Sequence, residues 1–183
     1  MAARDAVTGK PAWAHEFRLG ELAHGPVTRT LSAEPVERMR LAQELSLDRL
    51  DSLSATLTVS PWLDGVKLEG LWSATIEQTC GVTLEAFVSE LEGEFTVHVL
   101  PRGSTHAPSE ISVEITVDPD ADDPPDLIDG DRVDLAAYVV EHLSLEIDPF
   151  PRRPGAVFEP REEESPPSPF AVLLQLKTNP DEE

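Results

Sequence analysis

The 183-residue chain contains a single cysteine, Cys80. One thiol excludes an intramolecular disulfide and a zinc site built from cysteines alone. Because the residues around Cys80 are acidic, we expect a buried or turn-edge thiol rather than a nucleophile. Aromatic residues make up only 5% of the sequence, so leucine, valine and alanine must form most of the core. No apolar run approaches the roughly 18 residues of a membrane-spanning helix, and residues 1–13 contain no signal-peptide core. We therefore expect a soluble, cytoplasmic protein without a membrane partner.

Basic residues are also scarce. The chain has 14 Lys and Arg against 35 Asp and Glu, which gives a formal net charge of −21. This charge excludes the class of proteins that bind nucleic acid through a broad basic surface. Residues 1–60 hold seven of the basic and only eight of the acidic side chains. Contact with RNA is therefore electrostatically least unfavourable in this half, and the candidate residues are Arg18, Arg29, Arg38 and Arg40. The alternative is that these arginines, like Arg49, are ordinary solvated charges.

Catalytic motifs are missing as well. The five histidines are scattered, and no HExxH, Gly-rich phosphate loop or G-x-S-x-G occurs. One acidic stretch resembles the start of a calcium loop but lacks the central glycine and the final glutamate, so a solvated loop is favoured: Asp118, Asp120, Asp122 and Asp123. We expect no enzyme activity, cofactor, metal or small-molecule substrate; a metal-dependent hydrolase is a remote alternative.

Alternating apolar and polar residues predict a series of β-strands. Short strands are expected at 16–19 and 27–31, and long ones at 53–60, 66–77 and 84–100, followed by 111–117. Asp64-Gly65 indicates a hairpin turn between the first two long strands. A bulge is expected near Gly70 and a kink at Glu92-Gly93. The long strands predict an antiparallel meander.

Two helices are predicted beside the sheet. Pro35 suits a first helical turn, and the pattern continues to about Leu45. Asp134 is a typical N-cap before an amphipathic stretch that Pro149 ends. The fold class is therefore α+β: an antiparallel β-sheet meander with two helices and a short C-terminal helix on a Pro/Glu-rich linker. We expect five parts: a flexible leader 1–14, one domain 15–158, an acidic Pro-rich linker 159–168, an apolar tail segment 169–177 and a disordered end 178–183.

Several segments together resemble a known family. They are Glu16–Arg18, Ile76–Glu85, Asp134-Leu135, Val140–Leu145, Asp148–Arg152 and Ser168–Lys177. Their order resembles the YceD family of large ribosomal RNA subunit accumulation proteins, in its alphaproteobacterial form, over about residues 16–177. The resemblance marks four structural positions: Cys80, Leu84, Asp134 and Leu143. Some members carry further cysteines, but Glu77 and Ala156 stand at the matching places here, so an inherited metal role is not supported.

The resemblance implies a non-enzymatic ribosome biogenesis factor that supports the synthesis, processing or stability of 23S rRNA in the large subunit. Its partners would be large-subunit assembly intermediates, 23S rRNA or a basic ribosomal protein. Two mechanisms stay open: direct RNA contact through the near-neutral first half, or an acidic, chaperone-like hold on a basic ribosomal protein. Partner binding would then use the four aspartates of the 118–123 loop and the tail residues Phe170, Leu173 and Leu174. The tail could dock on its own domain or on a partner.

Overall fold

The computed structural model describes residues 11–107 and 124–158. These residues form seven strands, two α-helices and a 3₁₀ turn at Leu19–His24. The strands are β1 (Glu16–Arg18), β2 (Val27–Ser32), β3 (Arg49–Trp62), β4 (Gly65–Thr79), β5 (Ala86–Pro101), β6 (Asp126–Ile128) and β7 (Arg132–Asp134). The helices are α1 (Pro35–Glu44) and α2 (Leu135–Glu146). The α+β prediction is confirmed.

The main sheet has five strands in the order β2-β3-β4-β5-β6. Strands β2 to β5 are antiparallel neighbours, as the meander prediction requires, and only β6 runs parallel to β5. The β3–β4 hairpin closes with Trp62 paired to Gly65, so its turn is Leu63-Asp64, one residue earlier than predicted. Leu63 adopts φ 54°, a left-handed value that this tight turn imposes.

Two short strands form a separate sheet. β1 pairs antiparallel with β7, with Phe17 opposite Val133. The sequence predicted the first of these strands but not its partner. Because residues more than 110 positions apart meet here, local periodicity carried no signal for the pairing.

The predicted bulge and kink at strand glycines are both wrong. β4 and β5 stay in register from Val66 to Thr79, with Gly70 opposite Phe95 and Gly93 opposite Trp72. At each glycine, a Cβ atom would collide with the aromatic ring of the opposing residue. The glycines therefore make room for rings that lie across the neighbouring strand. The one register shift in β3–β4 falls between Leu50 and Ser52.

One side of the main sheet carries the core. Leu57, Leu68, Ile76 and Val99 point to this inner side and are at most 1% exposed. Helix α1 packs against β3, and α2 packs against β5, β4 and β1. Burial of this continuous apolar surface is the main force that holds helices and sheet together.

Both predicted helix starts are confirmed. Pro35 is the first residue of α1, and the backbone N–H of Glu34 donates to Glu37 Oε2 at 2.8 Å. Asp134 Oδ1 accepts from the N–H of Ala136 at 3.1 Å and thereby caps α2. The predicted strand 111–117, the linker 159–168, the tail segment 169–177 and the end 178–183 lie outside the described residues. Of the predicted leader 1–14, residues 11–14 are described, and Trp13 among them is buried in the core.

Candidate functional site

The outward side of the main sheet is a broad polar surface, which we call the open sheet face. It is formed by the alternate side chains of β2, β3, β4 and β5 that point away from the core. Most of these side chains are exposed or half-exposed: Thr28, Thr30, Ser52, Ser54, Thr56, Thr58, Glu69, Leu71, Ser73, Thr75, Glu90, Glu92, Glu94 and Thr96. Three shallow hollows lie on this face.

The middle of the open sheet face is rich in hydroxyl groups. Ser52 Oγ donates to Thr75 Oγ1 at 2.9 Å, and the hydroxyls of Ser54 and Ser73 lie 3.2 Å apart. These cross-strand contacts follow from the antiparallel register, which places the partners side by side. The hydroxyl groups leave this surface capable of further hydrogen bonds.

One border of the open sheet face is a row of three glutamates, Glu90, Glu92 and Glu94, which we call the glutamate row. The three alternate along β5, so all point outward, and all are exposed. None takes part in the ion pairs found within residues 11–107 and 124–158. The row therefore presents three uncompensated negative charges along about 13 Å of strand.

Sequence reasoning missed the glutamate row. Its signal was present, because Glu90, Glu92 and Glu94 share one parity while Leu91, Gly93 and Phe95 share the other. The expected kink at Glu92-Gly93 hid the alternation, since a bend would have changed which side each glutamate faces.

The arginines proposed for RNA contact lie on three different elements, and two of the four are engaged within the protein. Arg29 forms an ion pair with Glu21 at 2.7 Å, and its guanidinium lies 5.9 Å from the centre of the Phe17 ring. Arg38 donates to the carbonyl of Ala33 at 2.7 Å. Arg18 and Arg40 are exposed, and no side-chain partner is found for either within the described part of the chain.

Arg18 and Arg29 share one carboxylate. The backbone N–H of Arg18 donates to Glu21 Oε1 at 3.0 Å, while Arg29 holds the other oxygen. This backbone bond, followed by the Arg29 contact, lowers the pKa of Glu21 below its usual value. Arg49 is likewise held by Asp51 and Glu77. Arg29 and Arg49 are therefore already paired with carboxylates, whereas the guanidinium of Arg18 is not paired among the described residues.

The predicted partner-binding residues lie outside the described residues. This applies to Asp118, Asp120, Asp122 and Asp123 and to Phe170, Leu173 and Leu174. Their role stays a prediction.

Cys80 is the centre of a junction between two loops, which we call the Cys80 junction. The side chain is fully buried, and its sulfur accepts from the N–H groups of Val82, Thr83 and Arg153 at 3.4–3.5 Å. Gly81 N–H also donates to the carbonyl of Pro151 at 2.9 Å. The turn after β4 is thereby tied to the segment after α2, some 70 residues later. The prediction of a buried thiol at a turn agrees with this position.

The surroundings of Cys80 favour its ionised form. The Thr83 hydroxyl, followed by the N–H groups of Arg153 and Thr83, lowers the pKa of the thiol to about 6, although burial acts in the opposite direction. Thr83 Oγ1 is buried and has no hydrogen-bond partner of standard geometry among the described residues, so its proton is free to turn towards the sulfur. The acidic neighbourhood inferred from the sequence is thus outweighed by local hydrogen-bond donors.

The other three structural positions differ in their surroundings. Leu143 is fully buried in α2, and Asp134 accepts a second N–H, from His15, at 2.8 Å. Leu84, in contrast, is 79% exposed with φ 58°. It therefore does not pack in the core, because the tight turn after Cys80 directs it to solvent.

The described ranges contain no grouping of three or more His, Cys, Asp or Glu side chains that could hold a metal ion. No helix in these same ranges is long and apolar enough to cross a membrane. Two candidate sites therefore remain: the open sheet face with its glutamate row, and the buried Cys80 junction.

A protein-family model, described as large ribosomal RNA subunit accumulation protein YceD, matches residues 68–177. The chain belongs to the YceD family. The match spans most of β4, all of β5 and α2, and therefore the glutamate row and the Cys80 junction. No curated protein and no solved structure matched the chain. The family's description names a role in the accumulation of large-subunit ribosomal RNA and no chemical reaction.

Proposed function

We propose that this YceD protein supports the accumulation of 23S rRNA without chemistry of its own, by holding a basic protein of the assembling large subunit on its open sheet face. The glutamate row is the observation that carries the proposal. Three carboxylates without an ion-pair partner in the described ranges, beside a surface rich in hydroxyl groups, suit the lysines and arginines of a basic protein. The same carboxylates repel the phosphates of bare RNA. The work would take place in the cytoplasm, where large subunits assemble.

The balance of charges across the described residues supports the protein partner over RNA. These residues hold 21 acidic and ten basic side chains. Six of the ten cations are held in ion pairs inside the protein. Long-range attraction will therefore steer cationic partners to the molecule and keep polyanions away.

The test is recovery of partners by the tagged full-length protein at two salt concentrations, with and without RNase. The variant Glu90→Gln/Glu92→Gln/Glu94→Gln removes the charge of the row and keeps its shape. The matched control, Glu44→Gln/Glu141→Gln/Glu146→Gln, removes the same charge from exposed helix positions. We expect RNase-resistant recovery of one basic large-subunit protein, identified by mass spectrometry, at least tenfold weaker for the row variant than for the control.

Direct RNA contact is the competing outcome. It requires that RNase abolish recovery, that the row variant bind normally, and that Arg18→Ala/Arg40→Ala bind weakly. That combination would overturn the proposed hold on a basic protein. Equal losses for the row variant and the helix control would overturn the role of the open sheet face as well.

A further inference from the structure

The most exposed apolar side chains lie on three segments of the chain. Ten large apolar side chains within the described residues are at least half exposed, and five of them exceed 70%. These five lie on the turn after β4, the last turn of α2 and the segment that follows it: Leu84, Leu145, Phe150, Val157 and Phe158. The other five reach at most 61%. Exposed apolar side chains at this level are candidates for contact with another apolar group.

A hollow of about 510 Å³, which we call the end hollow, is lined in part by the sequence neighbours of Leu145 and Phe150, namely Ser144, Pro149 and Pro151. It forms where α1, β4 and α2 end, and its lining includes Leu45, Gln78, Thr79, Ile147, Pro149 and Pro151. Gln78 Nε2 donates to the carbonyl of Asp148 at 3.1 Å, and Gly81 N–H donates to that of Pro151. Together with the Cys80 junction, these bonds hold the segment after α2 in place. The hollow is therefore built before any occupant arrives.

We propose that the end hollow binds residues 169–177 of the same chain. Pro151 lines the hollow, the described residues end seven positions later at Phe158, and 25 residues follow. Within those 25, the one long apolar run is Phe170–Leu176. It starts 12 residues after Phe158, a span of at most about 40 Å when extended, so the tether reaches the hollow easily.

Charge and the extent of the family match agree with this occupant. The carboxylates of Asp48 and Asp148 lie in the lining of the hollow, and Lys177 directly follows the apolar run. The family match covers both α2 and the tail up to residue 177. A tethered segment also acts at high effective concentration, which favours its own domain over a separate protein. The proposal does not depend on the partner proposed for the open sheet face.

The first test locates the tail directly. A photo-crosslinking amino acid replaces Gln175 in the full-length protein, and mass spectrometry identifies the crosslinked peptides. We expect crosslinks within one monomer to residues 45–48, 78–79 or 144–151. Crosslinks only to a second copy, only to other parts of the domain, or none at all would overturn the proposal.

The second test measures the effect of removing the contact. Leu173→Asp/Leu174→Asp should lower the Tm by roughly 5 °C or more. It should also speed hydrogen exchange of residues 80–85 and 144–153 at least tenfold. The control Thr178→Asp/Asn179→Asp adds the same charge beyond the apolar run and should do neither. If the Leu173→Asp/Leu174→Asp variant keeps its Tm and exchange rates but no longer recovers a partner, the tail binds that partner. This result would overturn the proposed internal contact.

Discussion

Cys80 joins two distant parts of the chain through its sulfur. Cys80 lies in the turn after β4. Its sulfur accepts a hydrogen bond from the backbone N–H of Arg153, which lies 73 positions later in the chain. Arg153 adds a side-chain ion pair with Glu85 at 2.7 Å, so the same two loops are held twice. A buried acceptor with several donors is stabilised in its charged form, and this is why the pKa of the thiol falls.

Cys80→Ser is therefore expected to lower stability in a pH-dependent way and to leave partner recovery intact. The folded protein has a thiol pKa of about 6, against an ordinary value of 9.0. The stability from the ionised sulfur is then complete above pH 9 and is lost as pH falls from 9 towards 6. A serine hydroxyl does not ionise in this range. The free-energy gap between the two proteins, measured by urea unfolding, should widen from pH 6 to pH 9.

Two outcomes would contradict this assignment of Cys80. A gap that stays constant with pH would show that the sulfur is neutral in the folded protein. The thiolate absorbance of the single cysteine gives an independent reading of its titration. Loss of partner recovery in a stably folded Cys80→Ser protein would instead show a direct functional role.

Among the elements, helix α2 is tied to the start of the domain by one carboxylate. Asp134 Oδ1 accepts from both Ala136 and His15, and Leu135 N–H donates to the His15 carbonyl at 2.9 Å. The cap thus also fixes the entry of β1 beside β7. Asp134 therefore has two roles: it caps α2, as the sequence predicted, and it also anchors the backbone of His15, just before β1.

Asp134→Ala should destabilise the protein by about 1–2 kcal/mol, at the upper end of the usual cost of a lost N-cap. Both donors would lose their acceptor, so β1 should also exchange its amide hydrogens faster. Chemical unfolding measures the first effect and hydrogen exchange the second. Asp134→Asn keeps an acceptor oxygen and serves as the control. If the alanine and asparagine variants are equally stable, the two hydrogen bonds accepted by the Asp134 side chain do not contribute to stability as proposed.

Two strand glycines, one in β4 and one in β5, make close packing between these strands possible. Each faces an aromatic ring, Phe95 over Gly70 and Trp72 over Gly93, so ring and glycine fill one layer on the inner side of the sheet. Trp72 is only 4% exposed as a result. Close packing of this kind leaves no room for an added methyl group.

Gly93→Ala should therefore cost about 1–3 kcal/mol in the free energy of unfolding, because its Cβ would lie 2.7 Å from Cζ2 of Trp72. Gly103→Ala, with no atom within 4 Å of the added Cβ, is the control and should be nearly neutral. Thermal unfolding together with tryptophan fluorescence reports both stability and ring position. Equal stability of the two variants would mean that the Trp72 ring moves aside at little cost.

For the whole molecule, the distribution of charge decides which partner can approach. Residues 61–183 hold 27 of the 35 acidic side chains, and the glutamate row belongs to this part. Surface charges of this kind act mainly on association rate and on its salt dependence. The 118–123 loop adds four more carboxylates close in sequence to β6.

Asp118→Asn/Asp120→Asn/Asp122→Asn/Asp123→Asn should weaken capture of a basic partner and flatten its dependence on salt. The reason is that four charges are removed from the steering field while the fold stays unchanged. Binding to the purified partner across a salt series gives the slope. An unchanged affinity and slope would show that the loop is merely solvated and that the glutamate row acts without it.

The sequence by itself determined the elements that depend on local patterns. Alternation along 53–60 and 66–77 predicted β3 and β4, Pro35 and Asp134 predicted the helix starts, and the acidic excess predicted a poor fit to bare RNA. These features can be read locally because strand and helix periods repeat within a few residues, and charge is a sum over composition.

Only the tertiary structure decided which side chains are free to act. It paired β1 with β7, gave Arg29 and Arg38 partners within the protein, and left the glutamate row without an ion pair among the described residues. It also surrounded Cys80 with hydrogen-bond donors, one of them from 73 residues away, where its sequence neighbours had indicated only acidic surroundings. Each of these outcomes depends on contacts between distant positions, whose geometry exists only once the core has formed.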